Sequence, residues 1–285
     1  MIPPPDLPPH VIRQYLGRIA WRRQARLEHR GAFDEKYPED VRTAFITSGN
    51  QYFDRELVMH RMMELSLFKP YKKFERVVMF HPRIPGRRYI IGADIATGRT
   101  VSSEETDFCA AVCLDLETGE EMAGYRARVR PEDCAYDLDQ LGTYYNTAII
   151  SVERTGDGGS TILTLTGECR YNAIFKFKEW MKRKRKVVEV EGFPTTTRTR
   201  PVALNFVNRM MIDHPEYIWD YKFLEECLTF VRDEKGKPCG AEGAHDDTVS
   251  ARWVAHASRM HVLNYWTPYE GPSEGYMAAD QMAAA

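Results

Sequence analysis

Long hydrophobic runs are missing from this chain of 285 residues. Its apolar stretches, such as Tyr89–Ala93 and Ala148–Val152, are strand-sized and fall far short of the roughly 20 residues that cross a bilayer. The start, Met1-Ile2-Pro3-Pro4-Pro5, has neither a basic cluster nor an apolar segment, so it does not read as a secretory signal and a cytosolic protein is expected. No CxxC pair occurs among Cys109, Cys113, Cys134, Cys169, Cys227 and Cys239, which removes the usual zinc spacings and leaves six reduced thiols. Cys109 and Cys113 flank Ala110-Ala111-Val112 and read as core residues. Nothing matches the GxxxxGK(S/T) phosphate loop. A bulk charge of one sign is also absent, since the net charge is -2; any polyanion would have to be held by local clusters.

What is present suits a globular α/β protein. With 43% hydrophobic and 28% charged residues, the chain has room for one large domain and an arm. Residues 1–85 read as an arm or linker, with a proline-rich start, Arg22, Arg23, Arg26 and Arg30 on a helix, and then Tyr37-Pro38-Glu39-Asp40. Residues 86–268 read as the domain, and 269–285, with an alanine-rich end, as a flexible tail. Strands are expected at Tyr89–Asp94, Phe108–Leu114 and Met122–Val129, a helix over Ala135–Tyr145, and a buried strand at Ala148–Glu153. A short helix at Gly158–Leu165, a strand at Tyr171–Phe177 and helices at Arg200–Ile212, Tyr221–Cys227 and Asp246–His261 complete a mixed sheet flanked by helices.

Three acidic positions stand out. Asp94 ends the first strand before small, turn-forming residues. Glu153 ends a central strand before the glycine-rich Arg154-Thr155-Gly156-Asp157-Gly158-Gly159, which would let a large ligand approach. Asp246 and Asp247 open the last helix. Taken singly, Asp94 could be a turn residue, Glu153 a surface ion-pair partner and Asp246 an N-cap. Strands ending in Asp94 and Glu153 that lie side by side, about 4.8 Å apart, change the balance. Two such carboxylates repel by about 4 kcal/mol at an effective dielectric near 20, and a helix dipole offsets only about 1 kcal/mol. Divalent cations would cancel the rest. All-oxygen donors favour magnesium or manganese over zinc, and two such ions suit in-line hydrolysis of a phosphodiester.

These residues resemble the nuclease domain of phage large terminases, a ribonuclease-H-like family. Tyr89–Asp94 looks like its first acidic strand, Ile149–Arg154 its second, and Ala244-His245-Asp246-Asp247-Thr248-Val249-Ser250-Ala251 its third acidic motif. Phe193–Pro201 is similar to a segment after the second motif, and Tyr37–Asp40 with Ala44–Gly49 to the connector between motor and nuclease. The resemblance implies a ribonuclease-H-like fold and a two-metal endonuclease for double-stranded DNA. Asp94, Glu153 and Asp246 would be catalytic ligands, Asp247 an accessory ligand and Asp107 a weaker candidate. His245 would orient a phosphate or relay a proton, or be a plain loop histidine. The implied partners are DNA, a packaging ATPase, a portal and a small terminase subunit, in the cytoplasm of an infected bacterium. The family's own ATPase motif is absent from this chain, and the insert 99–106 before Asp107 is long.

Basic residues suggest where DNA would lie. Lys176, Lys178, Lys182, Arg183, Lys184, Arg185 and Lys186 fall on an expected hairpin, Ala173–Phe177 with Val187–Val190. Arg126 and Arg128, with Arg130, alternate along one face of the third strand, and Arg198 and Arg200 are further expected contacts. A solvated hairpin tip and a plain exposed face would give the same pattern. Competing readings are a junction resolvase, a nuclease of RNA/DNA hybrids, and a catalytically idle DNA-binding or motor-docking module.

Overall fold

The computed structural model describes Gln24 and residues 50–96, 108–181 and 186–266; most of the expected arm and the whole expected tail lie outside them. In chain order, the first described elements are helix α1 (Arg55–Leu65) and strands β1 (Lys72–Lys73), β2 (Val77–Met79), β3 (Tyr89–Asp94), β4 (Cys109–Asp115) and β5 (Glu121–Ala127). Helix α2 (Pro131–Tyr144), strand β6 (Ile149–Val152), helix α3 (Gly158–Gly167) and strands β7 (Lys176–Met181) and β8 (Lys186–Glu191) follow. The chain continues through α4 (Thr199–Asp213), α5 (Tyr221–Thr229), β9 (Phe230–Arg232), β10 (Pro238–Gly240) and α6 (Asp247–Val262).

The main sheet runs β1-β2-β5-β4-β3-β6 and is mixed. β3, β4 and β5 form an antiparallel meander, whereas β6 lies parallel to β3, with Ala93 opposite Val152. A parallel neighbour cannot be reached by a tight turn, and α2 supplies the crossover. Pro131 at its start fits that role, because a first-turn residue has no amide bond to lose. The inner strands are apolar because both faces are covered: β3 is buried from Tyr89 to Ala93, and β4 along its whole length. One face packs on α2 and α3 through Ile91, Tyr125, Leu138 and Leu165, and the other lies under α6. A second apolar cluster joins α1, α4, α5 and α6 through Val58, Leu204, Phe223 and Trp253.

Helix α6 touches the sheet at a point that only glycine permits. A Cβ on Gly92 would stand 2.2 Å from the Ala255 backbone nitrogen, so the helix lies directly on the middle of β3. Its rotation is fixed by polar contacts. The Ser258 and Ser151 hydroxyls meet at 2.7 Å, and the buried Arg252 guanidinium binds Glu121 at 2.7 Å and Asp220 at 2.9 Å. Glu121 in turn accepts the backbone N–H groups of Trp219 and Asp220.

Several sequence expectations need correction. Residues 50–85 do not form an arm: Phe53, Val58 and Leu65 are buried in the second cluster, and β2 pairs with β5. Helix α1 has glutamates and arginines around its apolar positions, which hid it from periodicity. The hairpin sits later than expected, with β7 and β8 pairing Lys176 to Glu191 and Met181 to Lys186. Only isolated bridges, Ile150–Ile174 and Glu153–Phe193, link the approach to this hairpin with β6. Cys109 and Cys113 are buried as expected, and all six cysteines are free. Among the described residues no helix is long and apolar enough to cross a membrane.

Two stability measurements follow from the surroundings of the glycines. Gly92→Ala forces the helix off β3 and should cost about 1–3 kcal/mol in urea unfolding. Gly159→Ala, with nothing within 4 Å of the new methyl group, should be neutral or gain about 0.5–1 kcal/mol. His256 supplies a pH signature. Burial, then the charges of Arg259 and Arg252, hold its imidazole down to about 3. The unfolded chain therefore takes up this proton below about pH 6.5 while the fold refuses it, so stability falls from there towards pH 3 by about 1.4 kcal/mol per unit. Between pH 7.5 and 5.0, the parent should lose about 2 kcal/mol more than His256→Asn; equal losses would contradict a neutral buried imidazole.

Candidate active site

Four carboxylates meet where β3, β6 and α6 come together. Asp94 is the last residue of β3, paired across the sheet with Ala110. Glu153 follows β6, and its amide donates to the Ala93 carbonyl at 2.8 Å, which seats it beside Asp94. The loop after it is tight for an internal reason. Gly156 has φ of +68°, and a Cβ on Gly158 would fall 1.7 Å from the Glu153 carbonyl oxygen. Gly158 is therefore required by packing against Glu153, whereas Gly156 and Gly159 have nothing within 4 Å of an added Cβ and leave the loop open there. Asp246 and Asp247 enter from the N-terminal end of α6.

The electrostatics of Asp94 record this convergence. Burial, then the charges of Glu153, Asp247 and Asp246, push its carboxyl well above the usual range, against the Ser250 hydroxyl that hydrogen-bonds to it. Each acid also has a local partner. Glu153 Oε1 accepts from the Thr155 hydroxyl at 2.5 Å, and Asp246 Oδ2 accepts from the Gly240 amide at 3.1 Å. Asp247 Oδ2 lies 3.5 Å from His245 Nδ1 and 3.6 Å from Arg126 Nη2.

Those partners matter for cation binding. Among the described residues, no group of three or more Asp, Glu, His or Cys side chains is already arranged to hold a metal ion. The donors nonetheless fit a hard divalent cation in type and charge, because they are carboxylate oxygens whose shared negative charge opposes the ionisation of Asp94. Collecting them around one ion requires side-chain rotation at Glu153, Asp246 and Asp247, away from Thr155, Gly240 and Arg126. Such local bonds cost little to exchange for cation contacts.

The other candidate residues are divided. His245 stands edge-on to Phe108, with ring centroids 5.3 Å apart. The Arg126 guanidinium lies over the Phe108 ring, 3.3 Å from its centroid, and Arg128 stacks on the same ring at 4.2 Å. Arg126 turns inward to Asp247 and Glu226 rather than outward along an open basic face, whereas Arg128 is exposed. Lys176, Lys178 and Lys186 are exposed on the hairpin, but Lys176 faces Glu191 and Lys178 faces Glu189 across the ladder, which reduces the stem's positive charge. Arg198 is exposed, and Arg200 is half-buried with its guanidinium 4.8 Å from the Trp253 ring. Asp107, Lys182, Arg183, Lys184 and Arg185 lie outside the described residues.

Sequence reasoning missed Glu226 and Arg154. Glu226, on α5, is buried beneath the start of α6, where burial and the charge of Asp247 raise its carboxyl to about 7 against the Thr248 hydrogen bonds and Arg126. An acid within an amphipathic helix carries no motif, although its place on the apolar face of α5 was a usable signal. Arg154 donates to the Phe193 carbonyl through its backbone and to Glu179 at 2.6 Å through its side chain, tying the residue after Glu153 to the hairpin.

No protein-family model matches the chain, and no curated protein matches it in sequence. Solved structures do match. The large terminase nuclease of thermophilic phage G20c with bound cobalt is 18% identical with a TM-score of 0.50, covering 69% of this chain and 94% of that one. The same nuclease with bound magnesium is 18% identical with a TM-score of 0.50, covering 70% of this chain and 96% of that one. The mixed sheet and its flanking helices thus share the fold of phage large terminase nuclease domains.

Proposed function

We propose that this protein is a metal-dependent endonuclease that hydrolyses double-stranded DNA as the nuclease part of a viral genome-packaging terminase. The observation that carries the reading is the convergence of Asp94, Glu153, Asp246 and Asp247 from two parallel strand ends and a helix start, where three of the acids oppose the ionisation of the fourth. The likeness in fold to a nuclease solved with magnesium and with cobalt supports it.

In this reading Asp94, Glu153 and Asp246 hold the cations and Asp247 completes the set. Two magnesium or manganese ions held by these acids would supply Lewis-acid chemistry suited to in-line hydrolysis of a phosphodiester. The chain's own residues do the rest. The sheet fixes the backbones of Asp94 and Glu153 at adjacent strand ends, so of these two only the Glu153 side chain has to rotate, away from Thr155. His245, one residue before Asp246, would contact a phosphate or pass a proton, unless it is a plain loop histidine held by Phe108 and Asp247. Arg128, Lys176, Lys178, Lys186, Arg198 and Arg200, with Lys182, Arg183, Lys184 and Arg185, would hold the backbone without reading sequence. The Arg154–Glu179 contact links the Glu153 loop to that hairpin. A packaging ATPase, a portal and a small terminase subunit are the corresponding partners, in the cytoplasm of the infected host.

Incubation with supercoiled plasmid in magnesium, manganese or chelator tests the activity. The parent should nick and linearise DNA with either metal and stay inactive in chelator, while Asp94→Asn and Asp246→Asn lose at least about a hundredfold. Cleavage by both variants at the parent rate would mean that the site is wrongly assigned, and a preference for branched or hybrid substrates would redirect the reading to a resolvase or a hybrid nuclease. Stability supplies an independent check. Asp94→Asn relieves like-charge repulsion, so in chelator it should be more stable than the parent by about 1–2 kcal/mol. A loss of stability would indicate that Asp94 serves the fold through Ser250.

A further inference from the structure

The first turn of α6 is capped from outside the helix, and that arrangement decides what Asp246 can do. An aspartate at an N-cap normally turns its carboxylate back onto the amide of the second or third helical residue. Asp246 occupies the cap position of α6, yet its side chain makes no such bond. The amide it would ordinarily take, that of Thr248, donates instead to Glu226 Oε2 at 2.8 Å, and the Thr248 hydroxyl donates to the same oxygen. Glu226 belongs to α5, is itself buried, and reaches α6 from the side. Asp246 is left to face the Gly240 amide of β10 at 3.1 Å. The other oxygen of Glu226 lies 3.7 Å from Arg126 Nε, and Arg126 Nη2 lies 3.6 Å from Asp247 Oδ2, so the same carboxylate also stands behind the second acid of the pair.

We propose that Glu226 is a positioning residue for the candidate metal centre: by capping α6 in trans through Thr248, it frees the Asp246 carboxylate to act as a cation ligand. The inference rests on the metal-dependent reading of the site and goes beyond it by naming what keeps Asp246 available. Without Glu226, Asp246, whose backbone at φ −131° and ψ 19° is not in the extended form of a self-capping residue, would relax to that form and accept from the Thr248 amide. The carboxylate would then turn back onto its own helix, leaving the site one donor short while α6 remains folded. A merely structural role for Glu226 would lower stability and leave cation affinity of the folded protein unchanged.

The test is manganese binding to the full chain, measured by calorimetry or by spin resonance of the free ion, at a temperature where circular dichroism shows each variant folded. Glu226→Gln keeps an oxygen that can accept from both Thr248 donors and should bind manganese within about threefold of the parent. Glu226→Ala removes the cap and should bind at least about tenfold more weakly, the range expected when a group that orients a ligand is lost. Parent-like binding by folded Glu226→Ala, or equal weakening in Glu226→Gln and Glu226→Ala, would overturn the inference. Should Glu226→Ala fail to fold, Glu226→Met decides: it fills a similar volume without an acceptor, and binding at least about tenfold weaker supports the proposal whereas parent affinity overturns it. A parent protein that binds no manganese would instead bring down the metal-dependent reading itself.

Discussion

The structure depends on the contact between Gly92 and Ala255. A helix can lie this close to a strand only where the strand residue has no side chain, and the close approach sets the height of α6 above the sheet. Since α6 begins with the Asp246–Asp247 pair and β3 ends with Asp94, that height also sets how far apart the acids stand. Arg252, buried between Glu121 and Asp220, and the paired hydroxyls of Ser151 and Ser258 prevent the helix from rolling. A buried charge held on both sides is weak as a source of stability, but it penalises every alternative rotation of the helix. Packing places the acids and polar contacts orient them.

Charge gives the site its second layer. Four carboxylates are costly to hold together, and the surroundings offset part of the cost with donors of modest strength: a serine, a threonine, one amide, a histidine and an arginine. None is a buried bidentate clamp. On the proposed reading, a cation would replace them by side-chain rotation at Glu153, Asp246 and Asp247. The Arg126 guanidinium, resting on Phe108, is the one fixed positive charge among these partners, and it sits at the back of the acidic pair.

Much of this was legible in the sequence, for particular reasons. Tyr89–Asp94 announced β3 because a continuous apolar run ending in an acid suits a central strand with an open end, and the observed bounds are the same. The expectation that Asp94 and Glu153 neighbour each other required only that the first and fourth expected strands pair in parallel. The elements missed are those whose stability is tertiary. Helix α1 mixes charges through its apolar positions, and β1 is two lysines that form a strand only because β2 is beside them. The hairpin slipped in register because Tyr171–Phe177 is as apolar as the strand that follows it. Glu226 was missed for a different reason: its place on the apolar face of α5 marks it as buried, but the amide it accepts from depends on how α5 and α6 meet.

The order of the acids along the chain sets a timetable for the newborn protein. Asp94 and Glu153 emerge early and can pair as soon as β3, α2 and β6 have formed, but α6 is the last described element of the chain. Contacts of such long sequence separation form late. The full acidic cluster thus comes into being only after the other described elements around it are in place, so a half-made chain on the ribosome carries two of the acids without the pair that completes them.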